Sequence, residues 1–515
     1  MNIKYLDEKL NRLDMLYAMF FHVAVMASIF QLICPIYTLF TNIRIDYICI
    51  VGMVIIIILE TIIVGARHVV KCLLEVLEKS KIIVIACGAY FIWDTINLLY
   101  ANDKGFLLDK YLIWAKISVL CVGMILYINP PIHRNIENIN RVNYVLLNLG
   151  ISNFLVCITA VIGYYTGIFT MRIRMLTTIS DHNVFSSMIM IGFICLCYVL
   201  LFNKSINLHK TLICLSINML VCVPVMYLSA SRRTIVLLWF FLGCFLLFLT
   251  YIIVKDFRKT AFLNKVISLS VAVLIVTVGC LAQIHYFNEF STRKYEEESN
   301  IKSEIPIIEN DVTNFDKSES IDEEILNDNE NVYETKENEE KNIKEEVEVD
   351  EYVQTIIDGT GLELRKLIWK TSIDWFNKMS FLEKIIGGGA SYQSDIFDDI
   401  DNPLNKALVE HYNIKEGTTN WMGPHNFLLE DLLSGGIVKL IIDLCIMFSI
   451  LICIYKLSKI NFNYALLLLS LYAVLFANLM MGGKYGIFGD RLTWIVITVD
   501  IILRYSLKDN GSYKI

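Results

Sequence analysis

The sequence predicts an all-α polytopic membrane protein, and three observations lead there. Hydrophobic residues make up 56% of the 515-residue chain and its mean hydropathy is +0.55, above the soluble range. Apolar stretches recur at the length of roughly 20 residues that crosses a hydrocarbon core about 30 Å thick. Lysine and arginine are also shared unevenly between successive connecting segments, as in bilayer-inserted chains.

Hydropathy gives about twelve spans, near 15–40, 45–65, 81–100, 110–128, 143–168, 183–202, 209–229, 234–254, 264–286, 426–455, 463–480 and 487–505. The first follows Lys4, Lys9 and Arg12 and has no small-residue cleavage site after a short apolar core, so it reads as a retained anchor. With the N-terminus cytoplasmic, about 20 Lys and Arg fall on the inner side and 8 in the short outer loops. Both termini are then cytoplasmic, and residues 287–425 form one large extracytoplasmic loop between helices 9 and 10. The chain divides into an N-terminal membrane bundle (1–286, about nine helices), this loop, and C-terminal membrane helices (426–515, about three).

The net charge of −7 hides two unlike pieces. Residues 295–351 hold 22 Asp and Glu against 5 Lys, which leaves the remainder of the chain near +10. This acidic insertion has too little apolar surface to offset its ordering entropy and is expected to be a disordered, solvated spacer. Residues 352–425 change character and should fold. Val353 to Tyr392 reads as an amphipathic helix around Leu362, Leu364, Leu367, Ile368, Trp369, Ile373, Trp375 and Phe376, followed by a turn at Gly387-Gly388-Gly389.

All fourteen cysteines lie in or beside spans, or at Cys72 in an inner segment. That excludes a disulfide-stapled ectodomain, no CxxC pair suggests a metal or redox site, and the thiols read as small apolar packing residues.

The short outer loops keep arginines that the charge bias would remove: Arg172 and Arg174, then Arg232 and Arg233. Arg365 and His425 follow in the large loop. Cations held on that side point to an anionic substrate. Taken alone, Arg365 belongs with Lys366 and Lys370 to a basic stripe such as any surface helix carries. Pro424 can set the first turn of span 10. His425 and Asn426 would then sit at its N-terminus, where backbone N–H groups and the positive end of the helix face water. Near neutral pH a histidine there can accept a proton, although interfacial histidines also serve simply as polar anchors.

Arg172 to Asn183, then Ser231-Arg232-Arg233, Leu364-Arg365 with Trp369, Gly387-Gly388-Gly389, and His425-Asn426 followed by Gly435-Gly436 occur in an order that resembles the O-antigen polymerase and O-antigen ligase family over roughly residues 165–450. The resemblance implies a GT-C-like helical bundle whose amphipathic loop helix caps a cavity open to the outer leaflet. It also implies glycosyl transfer from an undecaprenyl-pyrophosphate-linked sugar donor at the outer face of the bacterial cytoplasmic membrane.

In that family a loop histidine activates the acceptor hydroxyl and arginines hold the pyrophosphate, with no metal, cofactor or nucleotide sugar. Transferred to this chain, His425 and Arg365 are the catalytic pair. Arg232, Arg233, Arg172, Arg174 and Asn426 bind substrate, with the choice between Arg232 and Arg233 open. The implied partners are the lipid-linked glycan, membrane lipid and a chain-length regulator, not nucleic acid. A polymerase extends lipid-linked repeat units and a ligase moves a finished chain to another acceptor. The Ile-, Lys- and Asn-rich composition favours the polymerase.

Other groups read more plainly. Asp398-Asp399-Ile400-Asp401 resembles a metal-binding aspartate cluster but is expected to be a solvated loop. Glu430 with Asp431, and Asp490 with Arg491, could form a polar cluster below the site. Glu60, Asp94, Asp443 and Asp500 are isolated acids such as a proton-coupled transporter uses. Yet no repeat relates the two halves, a loop of 139 residues is unlike a transporter's short connections, and snorkelling or pairing accounts for Glu60 and Asp500, which lie toward span ends.

Overall fold

A computed structural model of the protein describes residues 45–97, 99–100, 104–131, 138–166, 182–202, 208–229, 235–239, 273–289, 361–389, 392, 423–482 and 486–509, with single positions at 19, 23 and 270. Among the described residues every regular element is a helix. In chain order the main ones are α1 (Ile45–Val64), α2 (Ala66–Glu78), α3 (Lys81–Asn97), α4 (Lys104–Ile128), α5 (Asn138–Tyr165), α6 (His182–Phe202) and α7 (Leu208–Leu228). After them come α8 (Gly361–Lys378), α9 (Phe381–Ile386), α10 (Phe427–Ser458), α11 (Phe462–Gly482) and α12 (Arg491–Asp509).

Among the described residues, five helical stretches are long and apolar enough to cross a bilayer: Asn140–Tyr165, Val184–Phe202, Lys210–Leu228, Phe427–Ser458 and Phe462–Gly482. They correspond to α5, α6, α7, α10 and α11. Their outward faces suit lipid. On α10 the exposed residues Ile441, Leu444, Phe448, Leu451 and Tyr455 recur at helical spacing, while Ile446, Ile450, Cys453 and Leu457 on the other side are buried. The expected spans at 15–40 and 234–254 fall almost entirely outside the described residues, and that at 264–286 is described only in part, as helical residues 273–289. The acidic insertion 295–351 lies outside them too.

The span expected at 45–65 ends in a sharp corner. α1 and α2 meet at 114° across Gly65, whose φ of +88° only glycine adopts without strain. α2 is three-sided: Val69, Cys72 and Val76 face the protein, Val70 and Leu74 are exposed apolar residues, and Arg67, Lys71 and Glu78 are exposed charges. A surface of this kind suits a helix that lies along an interface. It is tied to the end of α4 by a His68 Nε2 contact with the Pro131 carbonyl at 2.8 Å and by Asn129 donating to the Cys72 carbonyl at 3.0 Å.

Helices α5, α6 and α7 pack mutually, and reciprocal glycines bring α5 and α6 close. A Cβ on Gly150 would fall 2.9 Å from Leu196 Cα, and one on Gly192 would fall 2.9 Å from Asn153 Cγ. The cysteines here do more than fill space. Asn153 donates to Cys222 Sγ at 3.5 Å, the Cys222 thiol donates to Asn218 at 3.2 Å, and Asn218 donates to Cys197 Sγ at 3.7 Å. These contacts satisfy buried amides that the apolar-packing reading of the thiols had left out.

α12 packs on α4, α5 and α11 and carries a buried ionic arrangement. Arg504 Nε lies 2.6 Å from Asp500, its Nη1 donates to the Cys453 carbonyl at 3.0 Å, and the Tyr472 hydroxyl donates to Asp500 at 3.1 Å. Asp500 is therefore paired, as pairing of the isolated acids anticipated. Arg504→Leu, which strands this carboxylate, should lower unfolding stability in detergent by about 3–5 kcal/mol, and Arg504→Leu/Asp500→Leu should recover most of the loss. Equal melting temperatures for the single and double variants would show that the pair is not what is lost.

Candidate functional site

Span 10 begins as α10 at Phe427, later than a Pro424 first turn would give. Asn426 is its N-cap: extended at φ −146°, it accepts through Oδ1 from the Leu428 and Leu429 N–H groups at 3.0 and 3.4 Å. The oxygen of a residue expected at the substrate thus serves the helix. His425 just before it is half-buried, and its φ of +49° makes it the one non-glycine residue with positive φ among the described residues. Such backbone costs about 1–2 kcal/mol and persists only where neighbours impose it. One neighbour is visible: the Trp369 indole N–H donates to the Pro424 carbonyl at 2.8 Å. Arg365 is half-buried and stands one helical turn before Trp369 on α8, so both lie on one side of that helix.

Val353 to Tyr392 is not one helix. α8 ends at Lys378, and α9 starts after Ser380, whose side chain accepts from Glu383 N–H while the Glu383 carboxylate accepts from Ser380 N–H at 2.8 Å. These hydrogen bonds to the Ser380 side chain and backbone hold the Glu383 carboxyl below its usual range. The Ser-x-x-Glu signature of this capping box is plain in the sequence but was absorbed into a longer helix.

α9 leads into Gly387-Gly388-Gly389, which docks on a break inside α10. There Gly436 has φ +68°. The Gly388 and Gly389 N–H groups donate to the carbonyls of Leu433 and Ser434, each at 2.9 Å. A Cβ on Gly436 would strike the Ile385 backbone and one on Gly387 the Ser434 carbonyl, so the two chains cross at a distance only glycine allows. α3 closes the joint: the Trp93 indole donates to the Gly435 carbonyl at 2.9 Å, and the Tyr100 hydroxyl beyond its end donates to the Ile386 carbonyl at 2.6 Å. The joint and α2 lie at opposite ends of α3, about 25 Å apart for 17 residues.

Beneath the break is a second ionic arrangement. Lys439, 2% exposed, places its ammonium 2.5 Å from Asp94 of α3 and 2.8 Å from Asp431, 3.5 Å from Ser434 Oγ and 4.8 Å from the Tyr90 ring centroid. Asp431 also accepts from the Tyr90 hydroxyl at 3.0 Å and from Ile487 N–H at 3.1 Å. Gly486, with φ +75°, lets that strand of chain reach the carboxylate. The Phe488 carbonyl of the same segment accepts from the indoles of Trp114 and Trp494 at 3.0 and 3.1 Å.

Of the polar groups expected below the site, Asp431 is thus engaged with Lys439, and Asp490 accepts from Asn478 at 2.5 Å. Glu430 is buried, and a Cβ on Gly423 would lie 3.4 Å from its carboxylate, two residues from His425. Arg172, Arg174, Arg232, Arg233 and Asp398, Asp399 and Asp401 lie outside the described residues. Lys439 escaped the sequence reading, although Asp431, Lys439 and Asp443 stand eight and four positions apart in an apolar segment, close to whole turns.

The arrangement offers a half-buried imidazole at a helix N-terminus beside a helix bearing a guanidinium, over a locked break. Comparison with known protein families and with curated proteins finds no match for this sequence. Gly436→Ala should cost at least about 1–2 kcal/mol from its backbone conformation alone, with a further loss from the Ile385 contact. It should also expose the 381–389 segment to protease while α5 and α6 stay protected. Unchanged cleavage would contradict the joint.

Proposed function

We propose that the chain is a metal-independent membrane glycosyltransferase that polymerises undecaprenyl-pyrophosphate-linked oligosaccharide repeat units of a surface polysaccharide. Its place is the outer face of a bacterial cytoplasmic membrane, with both termini in the cytoplasm. The observation that carries this reading is the Trp369–Pro424 hydrogen bond, which ties α8, the helix that carries Arg365, to the residue before His425 across 55 positions of chain. The positive φ of His425 supports it, since strained backbone collects at sites that use it.

In this mechanism His425 takes the proton of the acceptor hydroxyl as its oxygen attacks the anomeric carbon of the donor sugar. The bond to the pyrophosphate oxygen breaks, and its electron pair leaves with the diphosphate. Arg365, with Arg232 or Arg233 and Arg172 or Arg174, stabilises that growing charge through bidentate contacts strongest in the transition state. The proton on His425 then passes to solvent.

Loss of one such cation typically costs about 10²–10³ in rate and loss of a general base about 10²–10⁴. His425→Ala and Arg365→Ala should each abolish detectable polymer with normal membrane abundance. Deletion of the gene should leave single lipid-linked repeat units. Full-length unattached chains would instead indicate a ligase, and unaltered glycans or normal chain length in either variant would end the glycan reading.

A further inference from the structure

Asp443 stands one turn after Lys439 on α10, is 0% exposed, and neither of its carboxyl oxygens has a hydrogen-bond partner. The cause is its neighbour. It faces Asp431, with Lys439 and Asp94 next, and two carboxylates have no donor between them. Asp431 is supplied with donors from three directions, namely the Lys439 ammonium, the Tyr90 hydroxyl and the Ile487 N–H. Asp94 has the same ammonium at 2.5 Å. Three buried carboxyls therefore share one cation, and only the third lacks any donor. A buried, unpaired charge there would cost several kcal/mol, which one proton removes.

We propose that Asp443 and Asp431 form a buried proton-binding site, with one proton carried on Asp443 and donated to Asp431. The proton supplies the missing hydrogen bond and cancels the excess negative charge. The ionisable groups around it are Asp431 and Lys439 on α10 and Tyr90 and Asp94 on α3. Tyr100 after α3 and Tyr111 of α4 face Lys439 and Asp94. Tyr472 of α11 is engaged with Asp500 instead, and Glu383 of α9 with Ser380.

Position gives the proton its role. Lys439 contacts Ser434, whose carbonyl receives Gly389, so the charge balance at Asp443 bears on the break in α10 and on the loop segment docked there. Uptake of the proton holds the joint; its release would place a third carboxylate in competition for Lys439 and loosen it. This inference does not rest on the glycan reading.

Infrared difference spectroscopy of the full-length protein in lipid nanodiscs tests it, with Asp443→Asn, Asp443→Ala and Asp94→Asn alongside. A neutral-carboxyl C=O band that shifts in D₂O should be present at neutral pH, persist in Asp94→Asn and vanish in Asp443→Asn. Asp443→Asn should melt near the unsubstituted protein, because its amide N–H donates to Asp431 as the acid does, whereas Asp443→Ala should melt lower. A spectrum that Asp443→Asn leaves unchanged, a band lost in Asp94→Asn, or an Asp443→Asn protein that fails to fold would each overturn the proposal.

Discussion

The architecture depends on one ammonium group held in a dry interior. Lys439 can be buried only because Asp94 from α3 and Asp431 from its own helix flank it within 2.8 Å, so that desolvation is met by two close countercharges and further hydrogen bonds. Ionic contacts of this kind give position more than stability. Here they fix the rotation of α3 against α10 and, through Tyr90 and Ile487, bring the chain ahead of α12 to the same point.

That fixed point makes an interrupted helix tolerable. Irregular backbone at membrane depth survives only where protein satisfies its polar groups, and the carbonyls of Leu433, Ser434 and Gly435 find donors in Gly388, Gly389 and Trp93. The loop segment between α8 and α10 is thereby riveted to the bundle at its glycine turn and again at Trp369. His425 follows the Trp369 attachment at Pro424, and Arg365 lies one helical turn before Trp369 on α8. Groups carried on a long loop gain precision in this way from the rigid elements they are tied to.

Much of this was legible in sequence, and the misses have physical causes. Hydropathy located α5, α6, α7, α10 and α11 closely because a long apolar run has few alternatives, and the glycines at 387–389 were legible as a turn. Their partners were not. Gly387 and Gly436 are joined by a backbone contact between segments about 50 positions apart, which no local pattern reports. Lys439 was hidden because a single cation in an apolar run carries no mark of its countercharges, one of which is contributed by α3. The capping role of Asn426 was not legible, because the same short polar side chain suits a helix N-cap and a ligand contact alike. The corner at Gly65 was missed because hydropathy counts α1 and does not see that α2 turns aside.

The joint fixes the segment after α8 to α10, the helix that His425 and Asn426 lead into. The most direct measurement is hydrogen exchange of the Gly388 and Gly389 amides in the unsubstituted protein and in Lys439→Met. If the buried ammonium sets the joint, both amides exchange slowly in the former and lose protection in the latter, while the α5 and α6 amides remain protected. Equal protection at Gly388 and Gly389 in a folded Lys439→Met protein would contradict the account.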